Sequence, residues 1–211
     1  HPLIMLFLGG FLLAAGLSAQ GVDRRAALWI LARPGIDGRP TRALVAVAGV
    51  TFAFSMWISN TATTAMMVPI ALGLCANLRV QDEQKPALER WTEGLLITLA
   101  YSASLGGLAT PIGTAPNMLA IDHMHTHLGR DVDFLQWMAL ALPVALASLA
   151  AVLLVACRRF PPPAKRLEGL QDQVRSELAA LGPMSSGERR AVAIFASAIA
   201  LWILPAVLRL A

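Results

Sequence analysis

A knot of small polar residues set between two apolar runs constrains this chain more than any other feature. Ala43 to Ile58 is apolar apart from Thr51 and Ser55, and Ala65 to Leu78 is apolar apart from Asn77; Ser59, Asn60 and Thr61 stand between them. Sixteen helical residues reach only about 24 Å, short of a bilayer core of about 30 Å. Arg42 stands at one outer end and Arg79 at the other, and basic residues mark the cytoplasmic side of a membrane protein. The pattern predicts a re-entrant hairpin over 43–78 that enters from the cytoplasm, turns at Ser59–Thr61 and returns. A polar turn at that depth is tolerated only inside protein or beside a wet cavity. The competing reading is a kinked pair of membrane helices whose hydroxyls bond back to their own backbone.

Composition supports the membrane setting. The 211 residues are 56% hydrophobic and 14% charged, with mean hydropathy +0.62; soluble domains carry about 25% charged residues. A net charge of +4 raises the question of nucleic acid, but the distribution answers it. Five Lys and Arg lie in 24–42, three in 79–90 and seven in 158–190, leaving Arg130 and Arg209. That is the positive-inside pattern of an integral membrane protein, with loops 20–42, 79–90 and 158–190 cytoplasmic and no role in binding nucleic acid. Cys75 and Cys157 fall near predicted cytoplasmic membrane ends and are expected to be reduced and unpaired. The chain opens at His1-Pro2 inside one apolar run and ends in another, so both ends read as cut and the chain as a fragment.

Taken in order, Leu3–Leu17 is an apolar helix and Ala26–Ala32 a short interfacial one, closed by Pro34-Gly35. The hairpin follows, then a polar connector over Gln81–Arg90. Trp91–Leu105 climbs back into the membrane. The stretch from Gly106 to Asn117 holds three glycines and two prolines and cannot form a continuous helix. No charge occurs between Glu93 and Asp122, so 91–127 reads as one span broken near its middle. His123, His125 and His127, with Arg130, Asp131 and Asp133, are assigned to a short external loop. Their i, i+2 spacing argues against a metal cluster, so no metal other than sodium is expected. Phe134–Ala156 returns as a full helix. Leu167–Leu181 is a surface helix within the connector, and Ala191–Leu208 climbs out again. The fold expected is all-α and polytopic. Its parts are a scaffold helix plus interfacial helix (1–42), a transport part (43–158, with the hairpin 43–78, the broken helix 91–127 and a helix 134–157), a cytoplasmic connector (159–190) and a scaffold helix (191–211).

The two breaks carry the chemistry. Helices restarting after Thr61 and after Thr114, with Thr114 as cap and Pro116 in the first turn, would aim their N-terminal N–H groups at one depth. Two such ends make an anion site without Arg or Lys. Freed carbonyls around Gly106–Thr114, with the hydroxyls of Ser55 and Ser59 and the amide oxygen of Asn60, are hard neutral oxygens suited to a small hard cation. An anion and a cation held side by side stabilise each other, which is the physical basis of coupled transport. A buried carboxylate relay has no residues here, nor do an intramembrane Asp pair, a His-Glu-x-x-His or a Ser–His dyad at one depth, so an enzyme is not expected.

These residues resemble a known family. Ser55-Met-Trp-Ile-Ser-Asn-Thr-Ala-Thr-Thr-Ala-Met-Met67 is similar to the Ser-Asn-Thr hairpin of the divalent anion/sodium symporters, the dicarboxylate and sulfate carriers that include the INDY-type transporters. Gly106-Gly-Leu-Ala-Thr110 with Gly113-Thr-Ala-Pro-Asn117 resembles that family's broken fifth helix, and Phe7-Leu-Gly-Gly-Phe11 its third helix. The resemblance implies a sodium ion held by Ser55, Ser59, Asn60 and the backbone at Gly113. It implies substrate carboxylate contacts from Asn60 and Thr61, beside which Thr114 and Pro116 of the second break are taken as substrate contacts. It also implies one inverted-repeat half of a homodimeric elevator transporter in a plasma membrane, bacterial inner membrane foremost. The activity expected is sodium-coupled symport of a dianion such as succinate. The alternatives are sodium-independent dicarboxylate exchange and sulfate transport. The family's second Ser-Asn-Thr motif does not occur here, its first two helices are not seen, and Ala115 stands where many members have Pro.

Overall fold

The computed structural model describes residues 2–33, 39–76, 82–164 and 170–210. The described residues are helical with no strand: α1 Pro2–Ala19, α2 Val22–Leu31, α3 Pro40–Ser55, α4 Asn60–Ala76, α5 Lys85–Leu108, α6 Ala115–Leu128, α7 Phe134–Arg159, α8 Leu170–Ala180 and α9 Ser186–Leu210, with a single 3₁₀ turn at Asp82–Gln84. The all-helical expectation holds. The Pro34-Gly35 turn, the hairpin's expected end at 77–78 and the start of the 167–181 helix lie outside the described residues.

α5 is the hub, packed against α3, α4 and α7, while α1 lies along α9. The main core runs between α2, α3, α4 and α5 and includes Leu28, Leu44, Val47, Met67, Ala71, Trp91, Leu95 and Leu99. A second cluster joins Ala48 and Phe52 of α3 to Ala109 and to Ala145 and Leu149 of α7. Buried hydroxyls inside these helices bond to the carbonyl one turn back, as Thr51 does to Val47, Thr98 to Gly94 and Ser102 to Thr98, each at 2.7 Å. Such bonding lets an apolar surface carry hydroxyls without unmet polar groups. Among the described residues one helix, Phe134–Arg159, is long and apolar enough by itself to cross a membrane, and only 17% of its apolar window is buried. α7 is started by a capping box, in which Asp133 Oδ1 accepts from Gln136 N at 2.8 Å and Gln136 Oε1 from Asp133 N at 3.0 Å.

Several boundaries differ from expectation, each for a local reason. α2 begins at Val22 rather than Ala26, because Asp23 is buried and accepts from Ser18 Oγ at 2.6 Å and from Arg24 N at 2.7 Å. The connector before α5 is itself helical from Lys85, with Pro86 in the first turn. α6 runs on to Leu128, so His123, His125 and His127 are helical and not loop residues. The helix stops only where Gly129 takes φ +61° and Arg130 N reaches back to Met124 O at 3.3 Å. α9 starts at Ser186, inside the segment expected to be connector.

Arg25 is more than a topological charge. Its guanidinium donates to Glu188 Oε1 at 2.6 Å and Oε2 at 3.3 Å, and to the carbonyls of Gly182 at 2.7 Å and Leu181 at 3.1 Å. It thereby satisfies two carbonyls just past the end of α8 and ties α2 to the start of α9. The hydrogen bond from Arg25, followed by that from Ser185 N, holds the Glu188 carboxyl below the usual carboxylate range. A lowered folded pKa contributes stability above the ordinary value of about 4.3 and loses it as pH falls through the folded value. Thermal unfolding of Glu188→Gln against the unaltered chain is expected to show a deficit at neutral pH that narrows as pH falls below the ordinary carboxylate value and through the lowered folded one.

Candidate functional site

The polar knot folds as a cap. α3 ends at Ser55, residues 56–59 turn, and α4 restarts at Asn60. The break therefore lies upstream of the expected Ser59–Thr61, and Asn60 and Thr61 sit in the first helical turn rather than before it. The reason is Ser59, whose Oγ accepts from Ala62 N at 3.3 Å while its carbonyl accepts from Thr63 N at 2.9 Å. A serine that caps so well starts the helix at the next residue. The N–H groups of Asn60 and Thr61 then have no intrahelical acceptor, as at any helix start.

The second break is also shorter than the sequence suggests. α5 continues through Gly106 and Gly107 to Leu108, Ala109–Thr114 turn, and α6 restarts at Ala115. Thr114 is the N-cap residue and Pro116 lies in the first turn, as expected. The Thr114 hydroxyl makes no cap bond, however. Pro116 has no N–H to give, and Asn117 N donates to the Thr114 carbonyl at 3.2 Å instead. The hydroxyl expected to cap is thus not consumed by the helix.

Cross-bonding joins the two breaks. Ser55 Oγ lies 2.7 Å from Asn60 Oδ1 and 2.6 Å from Ala103 O on α5. One hydroxyl proton serves one acceptor at a time, so three oxygens converge with a single proton among them. Ser55 is fully buried and its hydroxyl bonds across to α5 rather than back to its own helix. Thr110 Oγ1 donates to Met56 O and accepts from Gly113 N at 3.1 Å, clipping one turn to the other. Asn117, 3% exposed, donates from Nδ2 to Gly107 O and Thr110 O, both at 2.8 Å. Trp137 Nε1 of α7 donates to Leu108 O at 3.1 Å. Three carbonyls at the end of α5 (106, 107 and 108) therefore have donors, Gly106 O taking Ala109 N at 3.0 Å. This is how a helix ends away from water without unmet polar groups.

The glycines set the distance of approach. A Cβ on Gly106 would stand 2.2 Å from the Phe52 carbonyl oxygen, one on Gly107 2.3 Å from Asn60 Oδ1, and one on Gly113 2.5 Å from the Gly107 carbonyl oxygen. Gly107 is thus the meeting point: its Cα lies against the Asn60 amide, and its carbonyl lies against Gly113 and Asn117. Of the expected site residues, Ser55, Asn60 and Gly113 are linked through this corner. Ser59 caps α4 beside it. Thr61 and Pro116 are exposed and Thr114 half-buried. Trp57, in the first turn, stacks on Phe134 with centroids 6.1 Å apart and meets Phe195 edge-on at 5.7 Å, so α7 and α9 brace the turn from outside. Sequence reasoning misses Thr110, Asn117, Ala103 and Trp137 as site residues. Thr110 and Asn117 stand within the quoted motif, whereas the Ala103 carbonyl and the Trp137 indole carry no local sequence signal.

Comparison with known proteins gives the family. The model of the sodium:sulfate symporter transmembrane region matches residues 1–209. This chain belongs to that family. The match bears out the resemblance seen in the two motifs. The chain is similar to a sodium-dependent dicarboxylate transporter SdcS of Staphylococcus saprophyticus, 32% identical over 207 residues, covering 96% of this chain and 40% of the relative. It is similar also to SdcS of Staphylococcus aureus, 30% identical, covering 96% and 39%. The chain spans about 40% of the length of the curated relatives it matches.

Replacing Gly106 by Ala sets a Cβ against a backbone oxygen inside a helix, where nothing short of helix displacement relieves it. Gly107→Ala meets a side-chain amide that can swing. Overpacking costs about 1–3 kcal/mol. Gly106→Ala should take the upper part of that range or more and Gly107→Ala less, read by thermal unfolding in detergent. Asn117→Ala should destabilise by about 1–3 kcal/mol by leaving the Gly107 and Thr110 carbonyls without a donor, and Asn117→Asp should not restore stability, because a carboxylate cannot donate.

Proposed function

We propose that this sodium:sulfate symporter family chain forms part of a secondary transporter that moves a small dianion, such as a C4-dicarboxylate, together with sodium. The observation that carries this reading is the corner at Ser55, Asn60 and Ala103, where three neutral oxygens share one proton. Sodium is a hard ion that takes such oxygens, and there is no carboxylate in the corner to hold it too tightly for release. Ser55, Ser59 and Asn60 with the Gly113 backbone are the proposed sodium ligands. The dianion is read by Asn60 and Thr61 at the start of α4 and by Thr114 and Pro116 at the start of α6. There the orphan N–H groups, the dipole ends of two helices and the uncommitted Thr114 hydroxyl supply positive potential without a cation. Each ion lowers the cost of holding the other, which makes their binding cooperative. The sodium-dependent dicarboxylate names of the similar proteins support this choice of ions.

The same reading places α3 and α4 as a re-entrant hairpin and α5 with α6 as a broken transmembrane helix of one inverted-repeat half in a plasma membrane. α3 and α4, with 16 and 17 residues, span only about 24–26 Å each. The loops at 20–42, 79–90 and 158–190 are cytoplasmic on this topology. The hairpin and broken helix move together as an elevator against α1 and α9 within a homodimer. Sulfate is the second substrate reading, favoured by the description of the matching family model.

Radiolabelled succinate uptake by the full-length parent in proteoliposomes tests the proposal. Uptake is expected to require an inward sodium gradient. Loss of a hydrogen bond to a charged group costs about 1.5–3 kcal/mol, so Asn60→Ala should weaken dianion affinity by about tenfold or more. Uptake indifferent to sodium and stimulated by internal dicarboxylate would replace symport by exchange. Sulfate uptake without succinate uptake would move the substrate, and an Asn60→Ala variant with unchanged uptake would remove the site.

A further inference from the structure

We propose that His123 and His127 form a two-imidazole site for a late first-row transition ion such as Zn²⁺, at the end of α6 away from Thr114. The two residues are one helical turn apart, and their rings face each other with centroids 4.3 Å apart and planes tilted by 41°. Both are exposed. Imidazole nitrogens suit Zn²⁺, Cu²⁺ and Ni²⁺, and an i, i+4 pair on one helix face is the spacing that the His-Glu-x-x-His metal motif uses. With zinc–nitrogen bonds of about 2.0–2.1 Å and a tetrahedral angle at the metal, the ring centroids would lie on the order of 5 Å apart. Side-chain rotation of two exposed rings covers that difference of under about 1 Å without moving the backbone.

His125 does not join them. It lies between the pair in sequence, on another face of the helix, and its Nδ1 is 2.6 Å from Asp131 Oδ1 in the following loop. Among the described residues no group of three His, Cys, Asp or Glu converges, so water completes the coordination. The site therefore exchanges its ion rather than locking it in as a structural zinc does. A bound ion would clamp successive turns just before Gly129 ends the helix. The inference is independent of what the chain transports.

Isothermal titration of Zn²⁺ into the detergent-solubilised chain, prepared without an affinity tag, tests it. The unaltered protein is compared with His123→Gln, His127→Gln and His125→Gln, each checked for helix content by circular dichroism. His1 is common to all four and cannot produce a difference between them. One saturable site is expected in the unaltered chain and in His125→Gln, and none at the same concentrations in His123→Gln or His127→Gln. Cu²⁺ electron paramagnetic resonance should show two nitrogen ligands in the unaltered chain. No saturable binding in the unaltered protein, binding that survives loss of His123 or His127, or equal loss on replacing His125 would overturn the proposal.

Discussion

Two helix ends stopping side by side in an apolar interior create a problem that the rest of the structure answers. Each end frees up to four carbonyls, and a carbonyl removed from water without a donor costs several kcal/mol. Here the donors come partly from the opposite break and partly from α6 and α7. Ser55 reaches the Ala103 carbonyl, Thr110 reaches that of Met56, and Asn117 reaches those of Gly107 and Thr110. The turn after α3 draws the donor for its Met56 carbonyl from Thr110, so α3 docks on α5 to end where it does. Gly106, Gly107 and Gly113 then follow as requirements, since the hydroxyls and amides are short and reach only if the backbones nearly touch. The extensive packing of α3 and α4 on α5 joins two local irregularities in one packed unit.

The same bonding leaves a residue of polar capacity that the fold does not use. The hydroxyls of Thr51, Thr98 and Ser102 are spent on the carbonyl one turn back and offer a ligand little, whereas that of Thr63, buried in α4, has no partner among the described residues. Ser55 is different because its single proton is divided between two acceptors. Thr114 is different because Pro116 removed the N–H that its hydroxyl would have capped. These exceptions lie at the breaks, where short polar side chains and freed backbone meet. A site made of such groups has no net charge of its own.

Much of this was legible in the sequence, for identifiable reasons. Ser-Asn-Thr between two apolar runs and Gly-Gly…Thr-Pro…Gly-Thr-Ala-Pro-Asn are local signals, and local signals locate breaks well. They locate boundaries less well. Ser59 proved to be a cap, which moved the break upstream; glycine proved compatible with the last turn of α5 because the helix there is held by cross-bonds and not by propensity. Polarity alone reads the histidine segment as a loop, although Gly129 is the available stop signal four residues after His125. The capping box at Asp133 and Gln136 was equally readable. What no local pattern contains is the partner of a side chain across the fold. Ala103 is an alanine in a helix, Trp137 an aromatic near a helix start, and Arg25 one of five basic residues in a loop. Their roles exist only once α5, α7 and the α8–α9 corner are in place.

The two kinds of polar contact in this chain divide along the same line. Arg25 with Glu188 is a charged, forked pair at the edge of the helical core, where partial solvation keeps the cost of two ions tolerable. The breaks use neutral hydroxyls and amides only, because a lone charge at their depth would cost far more than the bond it made. The arrangement separates the fastening of the fold from the chemistry of the site. Salt or acid weakens the first by acting on Arg25 and Glu188. The second holds no charged side chain and responds to neither directly.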